Sequence, residues 1–410
     1  MEEWKEYKLG DVCTMIPGFA FKSKDFGIGK NIAIKIKDIR PPYVEIKEAD
    51  NVDTSNYNIE KLSKFLVHKG EFLLAMTGAT IGKIGRYICE NPAYVNQRVL
   101  KFEDAGLILY DYLYYYLSTD VFQSFITNHI DSQSAQPNIS STTIGKYPIK
   151  IPSIKVQKQI ASILKSLDDK IEVNRKINEN LEQQAQALFK SWFVDFEPFR
   201  DGEFVESELG MIPKGWRVGC LDELCSFISR GLTPKYDETS EELILGQTCV
   251  RNNIVTLNNA RKHRPKTKNE KWVQQWDVLL NSTGVGSLGR VGIVYFNMDN
   301  VAIDSHITVV RASNPIYRHY VGRNLLSRQL EIENMAVGST GQTELPRDRV
   351  KTLPIIIPSH NSMIKFNYII EPMAISMYNN IIESRRLAEL RDTLLPKLMS
   401  GEIKVNEIEK

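Results

Sequence analysis

The most informative stretch of the chain is Ile144-Gly-Lys-Tyr-Pro-Ile-Lys-Ile-Pro-Ser153, which recurs without a gap as Val350-Lys-Thr-Leu-Pro-Ile-Ile-Ile-Pro-Ser359, 206 residues later. Further out, Glu71-Phe-Leu-Leu-Ala-Met-Thr-Gly78 returns as Asp277-Val-Leu-Leu-Asn-Ser-Thr-Gly284 at the same offset of 206 residues. Solenoid repeats have periods of roughly 20–50 residues, so this much longer period indicates a duplicated module of domain size. Two modules predict two equivalent sites.

The composition is that of an ordinary globular protein. The 410 residues are 42% hydrophobic and 25% charged, which is enough chain for two or more domains with their own cores. A net charge of +2 does not indicate a uniformly basic nucleic-acid binder. No apolar run approaches the roughly 20 residues of a membrane span, and the charged start is unlike a signal peptide, so we expect a cytoplasmic protein. Five cysteines without CxxC spacing predict buried free thiols, with neither a disulfide framework nor a structural zinc site.

Each copy divides into a strand-rich head and a long helix. The heads, residues 1–152 and 216–358, contain short apolar runs bounded by Gly, Pro and Asn, which are typical of strands. One helix is predicted in each head, from Tyr110 to Thr127 and from Tyr317 to Asn334. The tyrosine-rich face of the first, Tyr112 to Tyr116, is predicted to pack in the core and not to stack on bases.

A long helix follows each head, at residues 153–196 and 359–400, with a linker at 197–215 and a tail at 401–410. Each begins after an Ile-Pro-Ser sequence whose serine is a natural N-cap. Apolar residues then recur at alternating spacings of four and three, the a/d seam of a coiled coil. The seam residues that define this register are Leu167, Ile171, Asn174, Leu181, Met373, Met377, Asn380 and Leu387.

The two seams predict that the long helices pair with each other, because each seam is longer than one head can cover. Antiparallel pairing would place the heads at opposite ends, related by a pseudo-two-fold axis. At about 1.5 Å per residue the heads would lie roughly 50 Å apart, on the order of 15 base pairs of duplex DNA. Asn174 and Asn380 hold equivalent seam positions, and a buried Asn favours a like partner, so we expect the two helices to select one another.

The predicted fold class is therefore α+β, with two duplicated mixed α/β domains joined by two long antiparallel coiled-coil helices in a pseudo-two-fold arrangement. The paired helices would act as a ruler that holds the two diverged heads at a fixed distance. This arrangement suits a DNA site whose two halves differ in sequence. Apolar positions outside the seam could accept partner helices into a bundle. They are Ile163, Ile177, Ile369 and Ile381. An aromatic cluster at the end of the first helix is open to either core packing or a partner contact. It comprises Phe189, Trp192, Phe193, Phe196 and Phe199.

Four stretches resemble the specificity subunits of type I restriction-modification systems. They are Tyr7-Lys-Leu-Gly-Asp-Val12, Gln186-Ala-Leu-Phe-Lys-Ser-Trp-Phe-Val-Asp-Phe196, Glu206-Ser-Glu-Leu-Gly-Met-Ile-Pro-Lys-Gly-Trp216 and Arg391-Asp-Thr-Leu-Leu-Pro-Lys-Leu-Met-Ser-Gly-Glu402. The resemblance covers essentially the whole chain. It implies that the heads are target recognition domains, each reading one half of an asymmetric bipartite DNA site, and that the helices set the spacer.

The resemblance also implies that this chain is not itself an enzyme and holds no cofactor. Its partners would be double-stranded DNA, two methylation subunits that transfer a methyl group from S-adenosylmethionine to adenine, and restriction subunits that translocate and cut unmodified DNA. S-adenosylmethionine, ATP and Mg would belong to those partner subunits.

Candidate DNA contacts come mainly from equivalence between the repeats. The glycine-containing turns at residues 77–83 and 283–290 bring Lys83 and Arg290 to places where a partner can approach the backbone closely. The alternative that these turns have only a structural role remains open. Gln136 and Gln342 lie in equivalent polar loops and could reach base edges or phosphates. The candidates are Lys35, Thr77, Gly78, Lys83, Arg98, Gln136, Arg251, Arg261, Arg264, Thr283, Gly284, Arg290, His306 and Gln342.

The sequence also raises two other functional classes, an enzyme and a protein-binding scaffold. Gly284-Val-Gly-Ser-Leu-Gly289 matches a dinucleotide fingerprint, but the next residues predict a strand where the motif needs a helix. Arg40-Pro-Pro-Tyr43 and Asn91-Pro-Ala-Tyr94 echo the motif that holds a flipped adenine in a methyltransferase, but Arg40 lacks the carbonyl acceptor and the second copy lacks a proline. The alternatives are a self-contained adenine methyltransferase and a duplicated protein-binding scaffold.

Overall fold

A computed structural model describes residues 4–104, 106–130, 137–264, 271–338 and 343–405. The chain forms two compact units. Unit 1 comprises Met1–Lys170 and Leu387–Lys410, and unit 2 comprises Ile171–Arg386. Each unit therefore contains one of the predicted heads together with a part of each long helix.

Unit 1 is a mixed α/β unit. Its strands are β1 (Lys5–Lys8), β2 (Cys13–Pro17), β3 (Phe26–Ile34), β4 (Ile39–Arg40), β5 (Tyr43–Val44), β6 (Asp50–Val52), β7 (Leu66–Val67), β8 (Phe72–Ala75), β9 (Ile84–Arg86), β10 (Ala93–Val95), β11 (Val99–Asp104) and β12 (Pro148–Ile151). Its helices are α1 (Leu9–Val12), α2 (Ile59–Ser63), α3 (Tyr110–Leu117), α4 (Asp120–Asn128), α5 (Ser141–Ile144) and the start of α6 (Ile154–Phe193).

Three sheets organise unit 1. The largest has the order β2-β11-β8-β9-β5-β4, the second has the order β6-β3-β10-β7, and β1 pairs with β12. Strand β8 is buried on both faces, with Phe72 and Leu74 in the core against α3 and Leu73 and Ala75 in a second core. Because successive side chains of a strand point to opposite faces, this double burial explains the uninterrupted apolar run.

Unit 2 repeats this organisation. Its strands are β13 (Phe204–Ser207), β14 (Gly210–Pro213), β15 (Arg217–Cys220), β16 (Cys225–Arg230), β17 (Leu243–Leu245), β18 (Val250–Arg251), β19 (Asn253–Val255), β20 (Arg261–Lys262), β21 (Val278–Asn281), β22 (Val291–Ile293), β23 (Val301–Ile303), β24 (Ile307–Ala312) and β25 (Pro354–Ile357). Its helices are the rest of α6, α7 (Pro315–Ser327), α8 (Gln329–Asn334), α9 (Arg347–Lys351) and most of α10 (His360–Ser400).

The sheet order confirms that the duplication is structural. The largest sheet of unit 2 runs β16-β24-β21-β22-β19-β18, which is the order of unit 1 strand for strand. The pair β15 and β25 repeats β1 and β12, and in each unit this pair holds the Pro-Ile-x-Ile strand that precedes the long helix. The smaller sheets share one parallel strand pair, β3 with β10 and β17 with β23, but differ in their outer strands.

The helix inside each head differs from the prediction. The predicted helix from Tyr110 to Thr127 is interrupted, because the Thr119 side chain accepts a hydrogen bond from the backbone N–H of Phe122 and starts a new helix, α4. The predicted helix from Tyr317 to Asn334 is likewise two helices, α7 and α8, that meet at Arg328. The expected packing of the tyrosines is confirmed, since Tyr112, Tyr114 and Tyr115 lie in the core of unit 1.

Residues 197–215 are not simply a linker, since they include a 3-10 turn (Glu197–Phe199) and the hairpin β13–β14. The aromatic cluster at the end of α6 packs into the core of unit 2 around Trp216, Tyr320 and Phe366. Core packing, and not a free partner surface, is therefore what these aromatic residues do in the described part of the chain.

The equivalent seam residues Asn174 and Asn380 do not bind one another. Within unit 2, Asn174 Nδ2 donates to Glu383 Oε2 (2.7 Å) and to Ser384 Oγ (3.3 Å), whereas Asn380 Nδ2 donates to Asn178 Oδ1 (2.8 Å). The helix segments run antiparallel here, since Asn178 follows Asn174 on α6 whereas its partner Asn380 precedes Ser384 on α10. In an antiparallel pair, residues at equivalent positions of the two helices face each other at one point only, and Asn174 lies beside that point.

All five cysteines are free thiols, but only Cys13 and Cys249 are buried. Cys89, Cys220 and Cys225 are partly exposed, so the prediction of buried thiols is wrong for these three. Burial raises the pKa of Cys13 to about 12, which keeps this thiol protonated and unreactive. Among the described residues there is no helix long and apolar enough to span a membrane and no group of side chains arranged to hold a metal ion.

Candidate nucleic-acid interface

Four backbone segments of unit 1 meet in a network of turns. The N–H of Met76 donates to the carbonyl of Arg98 (3.0 Å), and the N–H of Ile139 donates to the carbonyl of Met76 (3.0 Å). The N–H of Asn96 donates to the carbonyl of Ile34 (3.0 Å). We call this network the turn cluster of unit 1; it comprises residues 34–38, 75–83, 96–98 and 137–139.

Unit 2 forms the same network from equivalent residues. The N–H of Ser282 donates to the carbonyl of His306 (2.8 Å), and the N–H of Leu345 donates to the carbonyl of Ser282 (2.8 Å). The N–H of Asp304 donates to the carbonyl of Leu245 (3.0 Å). The turn cluster of unit 2 comprises residues 245–249, 281–290, 304–306 and 343–345.

These bonds join backbone groups, so the same network forms in both units with different side chains. The side chains at equivalent positions do differ. The pairs are Ile36 and Gln247, Ala79 and Val285, Lys83 and Arg290, and Arg98 and His306. One scaffold is thus built twice in the chain and decorated differently each time.

The unit 1 cluster carries two exposed cations. Lys83 and Arg98 are exposed, and neither has a carboxylate within ion-pair distance among the residues that the structure describes. An uncompensated cation on a turn attracts phosphate groups, and an Arg can also form two hydrogen bonds to a guanine.

The unit 2 cluster is more strongly cross-linked by its side chains. Gln247 Nε2 lies 2.8 Å from Thr283 Oγ1, and His306 Nδ1 lies 2.8 Å from that same hydroxyl oxygen. Arg290 Nη2 donates to the carbonyl of Gly286 (2.7 Å). Arg290 and His306 therefore have fixed orientations, and His306 remains exposed to solvent.

Comparison with known proteins agrees with the duplicated architecture. The family model described as the type I restriction modification DNA specificity domain matches residues 1–183 and again residues 213–363. The chain belongs to this family. Its matches are thus one per duplicated module, as the internal repeat predicts.

Individual members of the family cover the whole chain. The specificity subunit of the type I restriction enzyme MjaIX of Methanocaldococcus jannaschii is 29% identical, over 99% of this chain and 95% of its own length. The HindI specificity subunit of Haemophilus influenzae is 24% identical, over 98% of this chain and all of its own (100%). The crystal structure of a type I S subunit from M. genitalium has a similar fold, with a TM-score of 0.56, 15% identity and coverage of 97% of this chain and 96% of that one.

The other predicted DNA contacts of this specificity subunit lie on both units, and several of their charges are compensated. Lys35 Nζ lies 2.8 Å from Asp50 Oδ2, and the hydrogen bond from Lys35 holds the pKa of Asp50 below its ordinary value. Arg264 Nε lies 3.2 Å from Asp237 Oδ2. Both cations are therefore weaker candidates for phosphate contacts than Lys83 or Arg98.

Two arginines of unit 2 have no carboxylate partner among the described residues, unlike Arg264. Arg261 stacks its guanidinium 3.3 Å from the ring centre of Tyr236, which fixes its position without a carboxylate. Arg251 is exposed on β18 and has no ion pair within the described ranges. Neither residue belongs to the turn cluster of unit 2.

The remaining candidates are turn residues. Thr77 is buried, and Gly78 donates its backbone N–H to the carbonyl of Pro137, so both hold the cluster together. Thr283 and Gly284 start the corresponding loop of unit 2. Gln136 and Gln342 lie outside the described residues.

Sequence reasoning missed a polar groove beside the unit 2 cluster. It has a volume of about 400 Å³ and is lined by eight residues. Arg230 anchors it, donating to the carbonyl of Leu345 (2.7 Å) and lying 2.8 Å from Glu344. The groove brings together three cationic and two carboxylate side chains, and no local sequence motif predicts it. Its lining residues are Ser229, Arg230, Gly231, Lys271, Glu344, Pro346, Arg347 and Asp348.

Each unit also joins its head to a long helix, through a hydrogen bond to an ion-paired carboxylate in unit 1 and through a buried ion pair in unit 2. In unit 1, Asp168 accepts hydrogen bonds from Tyr115 Oη (2.6 Å) and Arg391 Nη1 (2.7 Å). In unit 2, Arg323 lies 2.5 Å from Glu182, which belongs to α6. These contacts join each head to the helix segments of its own unit.

The motifs that suggested enzymes have structural roles. The glycines from Gly284 to Gly289 lie between β21 and β22, two antiparallel neighbours, so they do not open a helix. Arg40 and Tyr43 belong to the hairpin β4–β5, and the Arg40 guanidinium is occupied by Glu45 and Glu48.

Proposed function

We propose that this specificity subunit directs a type I restriction-modification complex to an asymmetric bipartite DNA site, with each head reading one half. The observation that carries the proposal is the turn cluster, which the chain builds twice on the same backbone hydrogen bonds and decorates with different side chains. A shared scaffold with different exposed side chains is what two unlike half-sites require, because base edges are read by side chains while the backbone supplies position.

In this proposal α6 and α10 form an antiparallel coiled coil that places the heads about a pseudo-two-fold axis and sets the spacer. The contacts of unit 2 support it. Asn174 contacts Ser384 and Asn178 contacts Asn380, so four residues forward along α6 correspond to four residues back along α10. Both contacts therefore belong to one antiparallel register of the two helices.

The methyl transfer and DNA cleavage are assigned to partner subunits. Two methylation subunits would dock on the helices, and restriction subunits would join them, bringing S-adenosylmethionine, ATP and Mg. Ile177 and Ile369 support this docking, since their side chains are 41% and 42% exposed on the long helices. Ile163 and Ile381 are instead partly buried against the cores of their units, so they are weaker docking candidates.

The test is to express this chain with and without its methylation subunit in an unmethylated host and to map N6-methyladenine across the genome at single-base resolution. An asymmetric bipartite motif that appears only with the partner supports the proposal. Methylation by this chain alone would instead favour a self-contained methyltransferase. No mark with a competent partner, together with no binding to duplex DNA, would favour a protein-binding scaffold.

The ruler is tested by adding one heptad to each long helix at facing points. Seven residues lengthen a helix by about 10.5 Å, equivalent to roughly three base pairs. The spacer should lengthen or the motif should be lost, while each half-site sequence stays the same. An unchanged spacer would contradict the ruler. Matched heptads built from the chain's own sequence keep the composition of the seam constant.

A further inference from the structure

The loop from Thr283 to Ser287 presents an apolar side chain on a rigid support. Val285 is 89% exposed, more than any other large apolar side chain in the described residues. A single exposed valine is ordinary on a protein surface. Here, however, the residue lies in a loop inside the turn cluster of unit 2, two residues after Thr283, whose hydroxyl contacts the exposed His306.

The loop is held in place on both sides of Val285. The N–H groups of Ser287 and Leu288 donate to the carbonyl of Gly284 (3.1 and 3.0 Å), and Arg290 binds the carbonyl of Gly286. Gly284 and Gly286 have φ values of +96° and +70°, a backbone that side chains rarely adopt. This cross-linked backbone fixes the tip, so binding a partner there loses little conformational entropy.

The corresponding loop of unit 1 is different. It carries Ala79 at the equivalent position and is one residue shorter between its glycines, Gly78 and Gly82. The surrounding backbone bonds are nevertheless shared, since Gly82 and Gly289 both donate to the carbonyl at the end of the preceding strand (2.8 Å each). The apolar tip is therefore a property of unit 2 and not of the scaffold.

We infer that Val285 is a specificity-determining residue that contacts the 5-methyl group of a thymine in the major groove. This inference rests on the proposed function, in which unit 2 reads one DNA half-site. The thymine methyl is the apolar group that base edges present in the major groove, and an aliphatic side chain is its natural partner. Because the complex would methylate an adenine in each half-site, every half-site contains at least one thymine.

The test uses the complex with its methylation subunit and duplexes in which each thymine of the unit 2 half-site is replaced in turn by deoxyuridine, which lacks the methyl group. Binding is measured by fluorescence anisotropy. At one position the replacement should weaken wild-type binding about fourfold, the value of one buried methyl-sized group. Val285→Ala should weaken binding to the natural duplex by about four- to fifteenfold and should no longer respond to that replacement.

Two variants serve as controls. Val285→Thr keeps the branched shape and one methyl group, and it should retain part of the response to deoxyuridine. Leu330→Ala removes a side chain that is 72% exposed on α8, outside the turn cluster, and it should behave as the wild type does. Because these side chains are exposed, all three variants should fold normally.

The inference is overturned if wild type and Val285→Ala respond equally to every deoxyuridine. It is also overturned if Val285→Ala weakens binding to all duplexes by one factor, which would indicate insertion between bases or a backbone contact. In either case sequence-specific binding by the wild type would leave the proposed function standing. A wild-type complex without any sequence preference would remove the proposed function and this inference together.

Discussion

Glu182→Gln should strongly destabilise unit 2, because it leaves a buried charge without its counter-ion. The Arg323 side chain is 2% exposed and Glu182 is 15% exposed, so water cannot replace the lost carboxylate. Tyr295 remains as a partner, since Arg323 Nη2 donates to its hydroxyl oxygen (3.1 Å), but this partner is neutral. Breaking a buried pair from one side costs about 3–5 kcal/mol, and the amide oxygen that remains places this variant near about 3 kcal/mol.

The measurement is hydrogen exchange followed peptide by peptide, because a chain of two units need not unfold in a single step. A loss of about 3 kcal/mol should accelerate exchange in α7 and β21 by about 150-fold. Peptides of β11 in unit 1 serve as an internal control and should exchange as in the wild type. These peptides also report whether the substitution acts on its own unit alone.

The matched control replaces both partners. Glu182→Leu with Arg323→Met removes the two charges together and should lie within about 1 kcal/mol of the wild type, because an apolar pair of similar volume avoids the desolvation cost. The reasoning is refuted if Glu182→Gln changes exchange less than about fivefold, or if the double variant is as unstable as the single one.

Three further predictions follow from other contacts. Glu371 accepts from His319 Nε2 (2.6 Å) and also binds Arg318, and these contacts lower the pKa of Glu371 to about 2. Since this pKa is below its unfolded value, the stabilisation is present above about pH 4.5 and is lost as the pH falls towards 2, and Glu371→Gln should flatten this part of the exchange-against-pH profile of unit 2. Asn380→Leu leaves Asn178 without a donor and should destabilise the helix pair by about 1–3 kcal/mol, whereas adding Asn178→Leu should restore stability but broaden the set of spacers that the complex methylates. Arg98→Ala should reduce the slope of log affinity against log salt by about 1, and Arg264→Ala, which removes a cation already paired with Asp237, should change it less; equal changes would contradict the assignment of Arg98 as the freer cation.

The duplication could be predicted from the sequence because both copies satisfy the same physical rules. The apolar run from Phe72 to Ala75 and its copy from Val278 to Leu280 are buried on two faces, so both copies keep apolar residues there and the repeat stays visible. Apolar residues at alternating spacings of four and three likewise predicted the long helices, since α6 and α10 keep one apolar stripe over many turns.

The positions of the candidate contacts were only partly predictable. The offset of 206 residues, with one inserted residue, correctly paired Lys83 with Arg290. It could not show that Lys35 is paired with Asp50 or that Arg264 is paired with Asp237. Val285 was passed over for a similar reason. A valine in a glycine-rich stretch is not distinctive until the backbone shows which side chain is at the tip.

The two modules, the course of the long helices and the family of the chain could all be predicted from its residues, because periodicity and repeated local motifs encode them. The pairing of polar residues became visible only in the folded chain. Asn380 pairs with Asn178 and not with Asn174, and Arg323 finds Glu182 across more than a hundred residues of chain. Such partners are set by the direction of helix packing and by the desolvation of buried charges, and neither is encoded in the spacing of residues along the chain.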